Sequence, residues 1–93
     1  MAVKLERQHV AEGLQKLSLW TLQGNQIERL LKFENFVDAM IFVNKVAEIA
    51  EEESHHPDIR IVYNQVTLAL TTHDAGGLTQ KDFKMAHRIE ELL

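Results

Sequence analysis

Three of the five histidines in this 93-residue chain lie within residues 51–79, and the chain has no cysteine. His55 and His56 are adjacent and precede Pro57, and His73 follows a strand-like run. Histidine titrates near neutrality, so it can serve as a general acid or base, or as a metal ligand. The lack of thiols excludes a disulfide framework, a thiolate zinc site and a cysteine nucleophile. The three histidines therefore indicate a proton-transfer site or a metal site, or they are polar side chains that simply face solvent.

The surroundings of the histidine pair favour its protonated form. Glu51, Glu52 and Glu53 precede it, and the end of a predicted helix adds partial negative charge. If that helix persists for one more turn, Glu51 lies four residues before His55 and can hydrogen-bond to it. A histidine held by a carboxylate suits general acid catalysis.

A metal site is the main functional alternative to acid/base chemistry, because histidine is the commonest metal ligand. The acids Glu51, Asp58 and Asp82 could complete a coordination shell around the histidines. However, the spacing matches neither the HExxH helix nor a zinc finger. A metal site is therefore the less favoured alternative, and the spacing leaves it open. His9 and His87, in the terminal helices, are interpreted as surface residues.

Composition narrows the class of protein. The formal net charge is −4, and Lys and Arg are scattered, so no basic surface for direct nucleic-acid binding is expected. The first residues lack the apolar core of a signal peptide, and no apolar run reaches membrane-spanning length. We expect a single domain over residues 1–93, located in the cytoplasm and without membrane contact.

The first half of the chain predicts a helix, a hairpin and a long helix. Apolar spacing indicates a helix over residues 7–17, followed by a hairpin that turns at Gly24–Asn25. Asn35 is a candidate N-cap, and the helix after it extends to about Glu52. Its predicted core stripe is Phe36, Met40, Val43, Ala47 and Ala50, and further apolar residues widen it: Ile41, Phe42, Val46 and Ile49. This surplus is expected to contact another helix or another subunit.

The second half predicts another hairpin and a last helix. Pro57 disfavours helix at His56, and two alternating strands follow: Ile59, Ile61 and Tyr63, then Val66, Leu68 and Leu70. Thr79 is expected to cap the last helix together with Asp82, and the buried side of that helix is Phe83, Ala86, Ile89 and Leu93. The order α-β-β-α-β-β-α predicts an α+β two-layer sandwich, a four-stranded antiparallel sheet with helices on one face.

The second hairpin also predicts where the histidines meet. A turn at Asn64–Gln65 pairs residues whose numbers sum to about 129, which places His73 opposite His56. All three histidines are then expected to converge at one edge of the sheet.

The same residues form a longer pattern: Glu, three residues, His-His-Pro, five residues, Tyr, nine residues, His, eight residues, Asp. It is met by Glu51, His55, His56, Pro57, Tyr63, His73 and Asp82. This pattern resembles that of the pterin-4a-carbinolamine dehydratases, also called dimerization cofactors of a homeodomain transcription factor. The resemblance covers nearly the whole chain, including Trp20 and the run "FENFVDAMIFVNKVAEIAEEESHHPD".

The resemblance implies a hydro-lyase that removes water from a 4a-hydroxytetrahydropterin, such as 4a-hydroxytetrahydrobiopterin, to give the quinonoid dihydropterin in tetrahydrobiopterin recycling. It implies that His55, His56 and His73 surround the pterin and move the protons, and that the reaction needs no metal and no added cofactor. Glu51 and Asp82 would orient histidines, although Asp82 could instead act chiefly as a helix cap. The remaining substrate-binding or orienting positions are Pro57, Asp58 and Thr72.

The resemblance also implies a homodimer or homotetramer, with the central helix or an edge strand as the partner surface. Many relatives have an aromatic residue where this chain has Ile59, which would have given the pterin a stacking surface. The alternative function is a non-catalytic interaction or transcriptional coactivator module with the same fold.

Overall fold

The computed structural model describes residues 2–93. In chain order its elements are α1 (Arg7–Gln15), β1 (Thr21–Gln23), β2 (Gln26–Lys32), α2 (Phe36–Glu53), β3 (Asp58–Val62), β4 (Gln65–Leu70) and α3 (Gln80–Glu90). The predicted α+β class and element order are confirmed. The helix ends also agree closely with the sequence signals, since Asn35 accepts a hydrogen bond from the Asp38 backbone and Thr79 forms a capping box with Asp82.

The four strands form one antiparallel sheet in the order β1-β2-β4-β3. The apolar side of β4 is fully covered, because Val66, Leu68 and Leu70 have no exposed surface. It packs in one core with residues of the helices, among them Ala39, Phe42, Val46, Met85 and Ile89. None of the helices in residues 2–93 is long and apolar enough to cross a membrane.

Helix α2 is rotated relative to the predicted stripe. Val43 and Ala50 are buried as expected, but Phe36 and Ala47 are exposed and Met40 is half-buried. The buried face consists instead of Ala39, Phe42, Val43, Val46, Ile49 and Ala50. Apolar residues occur around most of this helix, so periodicity alone does not determine which face meets the sheet.

The second hairpin turns one position earlier than predicted. Val62 pairs with Gln65 and Asp58 pairs with Ala69, so the turn is Tyr63–Asn64. Tyr63 has a positive φ of 51° and is exposed rather than part of the strand alternation. Asn64 anchors this turn to the residue that follows β2, because its side-chain amide donates to the carbonyl of Phe33 at 2.8 Å.

The last helix differs from its prediction at one end. Phe83, Ala86 and Ile89 are buried as expected, whereas Leu93 lies beyond the helix and is 54% exposed. Met85 has no exposed surface and adds to the core.

Candidate active site

The end of α2 separates the two adjacent histidines. Ser54 adopts a left-handed conformation, with φ 50° and ψ 40°, and its backbone N–H donates to the carbonyl of Glu51. The N–H of His55 donates to the carbonyl of Ala50 at 3.1 Å. These two bonds form a Schellman motif, which usually has glycine at the left-handed position. The chain therefore turns sharply just before His55.

Ion pairs tie this end of α2 to α3. Arg88 donates to Glu53 at 2.8 Å and to Glu52 at 2.7 Å, and Lys84 lies 3.2 Å from Glu53. Hydrogen bonds from Arg88 and Lys84 hold the pKa of Glu53 below its ordinary value. The contacts fix the segment that leads into His55 against the helix that carries Asp82.

His55 is bonded to a fully buried carboxylate. Its Nε2 lies 2.6 Å from Oδ1 of Asp82, and the His55 side chain is only 12% exposed while that of Asp82 is 0% exposed. The resemblance implied that Asp82 orients a histidine, and this hydrogen bond is the contact through which Asp82 would orient His55.

The other oxygen of Asp82 completes a buried network. Oδ2 accepts hydrogen bonds from the Thr79 backbone N–H and from the Thr72 hydroxyl, both at 2.9 Å. Because the Thr72 proton is committed to Asp82, the Thr79 hydroxyl must donate in its 2.8 Å bond to Thr72. Asp82 thus caps α3 and also hydrogen-bonds to His55. The two roles considered for it from the sequence, helix cap and partner of a histidine, are compatible.

The ionised form of Asp82 sets the position of the proton on His55. A carboxylate can only accept hydrogen bonds, so with Asp82 ionised Nε2 of His55 carries the proton in their bond. Nδ1 makes no hydrogen bond within residues 2–93. In the neutral form it offers a lone pair, and in the charged form it offers a proton.

His56 is paired with Glu51 in an exposed setting. Its Nε2 lies 2.5 Å from Oε2 of Glu51, with 62% and 77% of the two side chains exposed. The predicted contact of Glu51 with His55 is therefore wrong, because the helix ends at Glu53 and Ser54 redirects the chain. An exposed contact of this kind adds little to stability even when both groups are charged.

His73 lies outside the sheet, contrary to the strand prediction. Strand β4 ends at Leu70, and His73 begins a single 3-10 turn at His73–Ala75. A bridge between Thr72 and Gly77 closes this loop, and Gly76 takes a positive φ of 78° that suits glycine. The predicted cross-strand pairing of His73 with His56 is wrong, and within residues 2–93 no hydrogen bond joins His73 to either neighbouring histidine.

The exposed side chain of His73 lines a polar pocket of about 380 Å³. The other side chains that line this pocket are Gln23, Asn25, Gln26 and Thr71. Residue types alone gave no reason to connect the β1–β2 turn with a histidine so distant in the chain.

Pro57 and Asp58 occupy the link from the histidines into β3. Pro57 is half-buried, and Asp58 is exposed and pairs with Ala69 at the first position of the strand. In the part of the chain that the structure describes, no group of three or more His, Asp or Glu side chains is arranged to hold a metal. Ser54 was missed entirely, since a single serine before a histidine pair gives no sequence signal of its left-handed conformation.

Comparison with known proteins identifies the family. The family model for pterin 4 alpha carbinolamine dehydratase matches residues 3–92. The chain belongs to this family. A protein of Acidobacterium capsulatum that bears the family's name is 60% identical over 84 residues, which cover 90% of this chain and 91% of that protein. One from a Nostoc species is 50% identical and covers 99% of both chains.

Solved structures agree with the assignment to the pterin dehydratase family. The crystal structure of a transcriptional coactivator/pterin dehydratase from Brucella melitensis has a TM-score of 0.91 and 34% identity, covering 96% of this chain and 97% of that one. A pterin dehydratase-like protein described as a RuBisCO assembly factor in the alpha-carboxysome has a TM-score of 0.67 at 22% identity, which shows a shared fold alone.

Proposed function

We propose that this protein is a hydro-lyase that dehydrates a 4a-hydroxytetrahydropterin to the quinonoid dihydropterin. The observation that carries the proposal is the bond between His55 and the fully buried Asp82, with the exposed His56–Glu51 pair directly beside it. One histidine is thus held in a fixed orientation and the next is open to solvent. Membership of the dehydratase family supports the pterin as the substrate.

The reaction is an elimination that needs an acid and a base. The hydroxyl on C4a is protonated and leaves as water, and the proton on N5 is removed. The electron pair of the N5–H bond then forms the C4a=N5 double bond. No electrons are gained or lost overall, so the proposed reaction uses no redox partner, and we propose no metal or added cofactor for it.

The histidines divide these tasks according to their surroundings. Neutral His55 presents the lone pair of Nδ1 while Asp82 holds Nε2–H, which suits removal of the N5 proton. His56, which is exposed to solvent and hydrogen-bonded to Glu51, is the proposed acid that gives a proton to the leaving hydroxyl. His73 is the third proton-transfer group, carried on the loop that Thr72 anchors to Asp82. The role proposed in the cell is recycling of tetrahydrobiopterin in the cytoplasm, by a homodimer or homotetramer.

A second candidate function is a protein-interaction module, and one observation favours it. Phe36, Val37 and Ile41 are three large apolar side chains near the start of α2, and they are 48%, 64% and 51% exposed. The Brucella melitensis relative is also described as a transcriptional coactivator. In this case replacing the histidines would leave partner binding unchanged.

The deciding experiment is stopped-flow absorbance decay of chemically generated 4a-hydroxytetrahydropterin, with and without chelator-treated protein. Acceleration that survives chelation and disappears in His55→Ala supports the proposal. Folded protein that gives no acceleration contradicts it and favours the interaction module.

A further inference from the structure

A groove between α1 and α3 lies outside the candidate active site. Its volume is about 730 Å³, which is the size of a ligand-binding site, and none of its lining residues belongs to the histidine site. Its floor is apolar and closed, because Phe83 is buried and a Cβ on Gly13 would lie only 2.6 Å from the Phe83 ring. The two helices therefore touch at Gly13, and the groove follows the line where they meet.

The two ends of the groove carry different residues. His9 lies at one end with Gln80 and Lys81, since these three also line the adjoining hollow beside the first residues of the chain. Lys16 and His87 line the groove but not that hollow, so they lie towards the other end. From His9 to Lys16 the groove is about 10 Å long, because an α-helix rises by about 1.5 Å per residue.

The walls of the groove carry positive charge. Lys16, Lys81 and Lys84 are exposed and line it, whereas Glu12 is the only carboxylate among its lining residues in the described part of the chain. Within residues 2–93, Lys16 and Lys81 form no ion pair, and Lys84 lies 3.2 Å from Glu53. The whole chain has a formal net charge of −4, so the sign of the charge is reversed in this groove. A negatively charged ligand is therefore attracted to it.

The arrangement of these charges favours a row of carboxylates over a phosphate group. The lysines are spread along the groove, and no arginine among residues 2–93 lines it to hold a phosphate with two parallel hydrogen bonds. An extended peptide advances by about 3.3 Å per residue, so roughly three or four residues match the length of the groove. The exposed carboxamides of Gln15 and Gln80 make no side-chain hydrogen bond within the described chain, and they can bond to a peptide backbone.

We propose that this groove is a docking site for a short acidic segment of a partner protein. The carboxylates of the segment pair with Lys16 at one end of the groove and with Lys81 at the other. A long polyanion such as a nucleic acid would also meet the acidic remainder of the chain, which repels it. The docking site is separate from the histidines, so it goes beyond the proposed dehydratase activity and does not depend on it.

The test is the fluorescence anisotropy of a fluorescein-labelled oligoglutamate peptide, titrated with the whole protein at low ionic strength. A labelled oligoglutamine peptide is the uncharged control. We expect Lys16→Gln and Lys81→Gln each to raise the Kd by about twofold to fivefold, the range for one exposed charge pair, and the double variant by about tenfold. Lys45→Gln, at an exposed lysine of α2 outside the groove, removes the same charge and should leave the Kd unchanged. All three lysines are exposed, so the variants retain the fold.

Three outcomes would overturn the proposal. The first is equal affinity for oligoglutamate and oligoglutamine. The second is an equal loss of affinity in Lys45→Gln and in the groove variants, because the attraction would then be spread over the whole surface. The third concerns inorganic tripolyphosphate: if it binds with a dependence on Lys16 and Lys81 while oligoglutamate does not bind, the groove is a phosphate site instead.

Discussion

Asp82 holds His55 with one carboxylate oxygen and caps α3 with the other. The side chain has no exposed surface, so its charge is balanced only by the donors around it. The orientation of His55 and the start of the last helix therefore depend on one buried group. A change at Asp82 must affect stability and proton transfer together.

Asp82→Asn should lower both dehydration rate and stability. The new amide can accept on one atom only, so either His55 or the cap loses its partner, which costs roughly 1–3 kcal/mol. Misoriented His55 should reduce turnover by about a hundredfold. Urea unfolding and stopped-flow decay measure the two effects. Asp38→Asn, the same change in the first turn of α2, is the control and should alter neither by a comparable amount.

His55→Ala and His73→Ala should each reduce turnover by about a hundredfold or more, which is the usual contribution of an acid/base group. His9→Ala, on the exposed surface of α1, should retain wild-type turnover. Wild-type turnover in both site variants would remove the acid/base assignment.

Ser54→Gly should stabilise the protein by about 1 kcal/mol. Glycine has no Cβ and adopts the left-handed conformation without the steric clash that the Cβ of serine makes there. Ser54→Val should destabilise it, since a branched Cβ fits this conformation poorly. Both changes are read from urea unfolding midpoints. Equal stability of the two variants would mean that the backbone at Ser54 carries no strain.

Stability should fall in acid through Glu90. Burial alone would raise the pKa of Glu90, but hydrogen bonds from Arg29 and Trp20, each 2.8 Å long, outweigh burial and leave the pKa lowered. A carboxylate with a lowered folded-state pKa stabilises the fold above its unfolded pKa, and this contribution is lost as the pH falls through the folded value. Here the loss should begin below the ordinary glutamate value of 4.5.

Glu90→Gln tests this dependence directly. The variant should be less stable than wild type at neutral pH, and the difference should shrink in acid. Thermal unfolding followed by Trp20 fluorescence, at a series of pH values, gives both curves. A difference that stays constant down to strongly acidic pH would exclude Glu90 as the titrating group.

The elements could be predicted from sequence because local signals determine them. Asn35 and Thr79 marked the helix starts, and alternation in β4 marked its buried side. The site was harder, because its key contact joins His55 to Asp82 across the fold and depends on the conformation of Ser54. The predicted pairing of His73 is wrong because β4 ends at Leu70 and His73 begins a 3-10 turn outside the sheet, an end that the alternation of residue types did not mark.

The exposed apolar side of α2 predicts self-association. Ile41 is 51% exposed beside Phe36 and Val37, whereas Ile49 is 6% exposed and belongs to the core. A polar residue at position 49 would therefore damage folding, and Ile41→Ser is the informative variant. If α2 is a subunit interface, burial of this side chain contributes roughly 1.5–3 kcal/mol per subunit, so its loss should shift the oligomer to smaller species.

Light scattering coupled to size-exclusion chromatography measures this shift at several protein concentrations. Leu30→Ser is the matched control, since Leu30 is 61% exposed but lies on the sheet. Ile41→Ser should dissociate at concentrations where the control keeps the wild-type mass. A wild type that is already monomeric, or equal dissociation of both variants, would show that α2 is not the interface, because the two substitutions remove comparable apolar side chains from different surfaces.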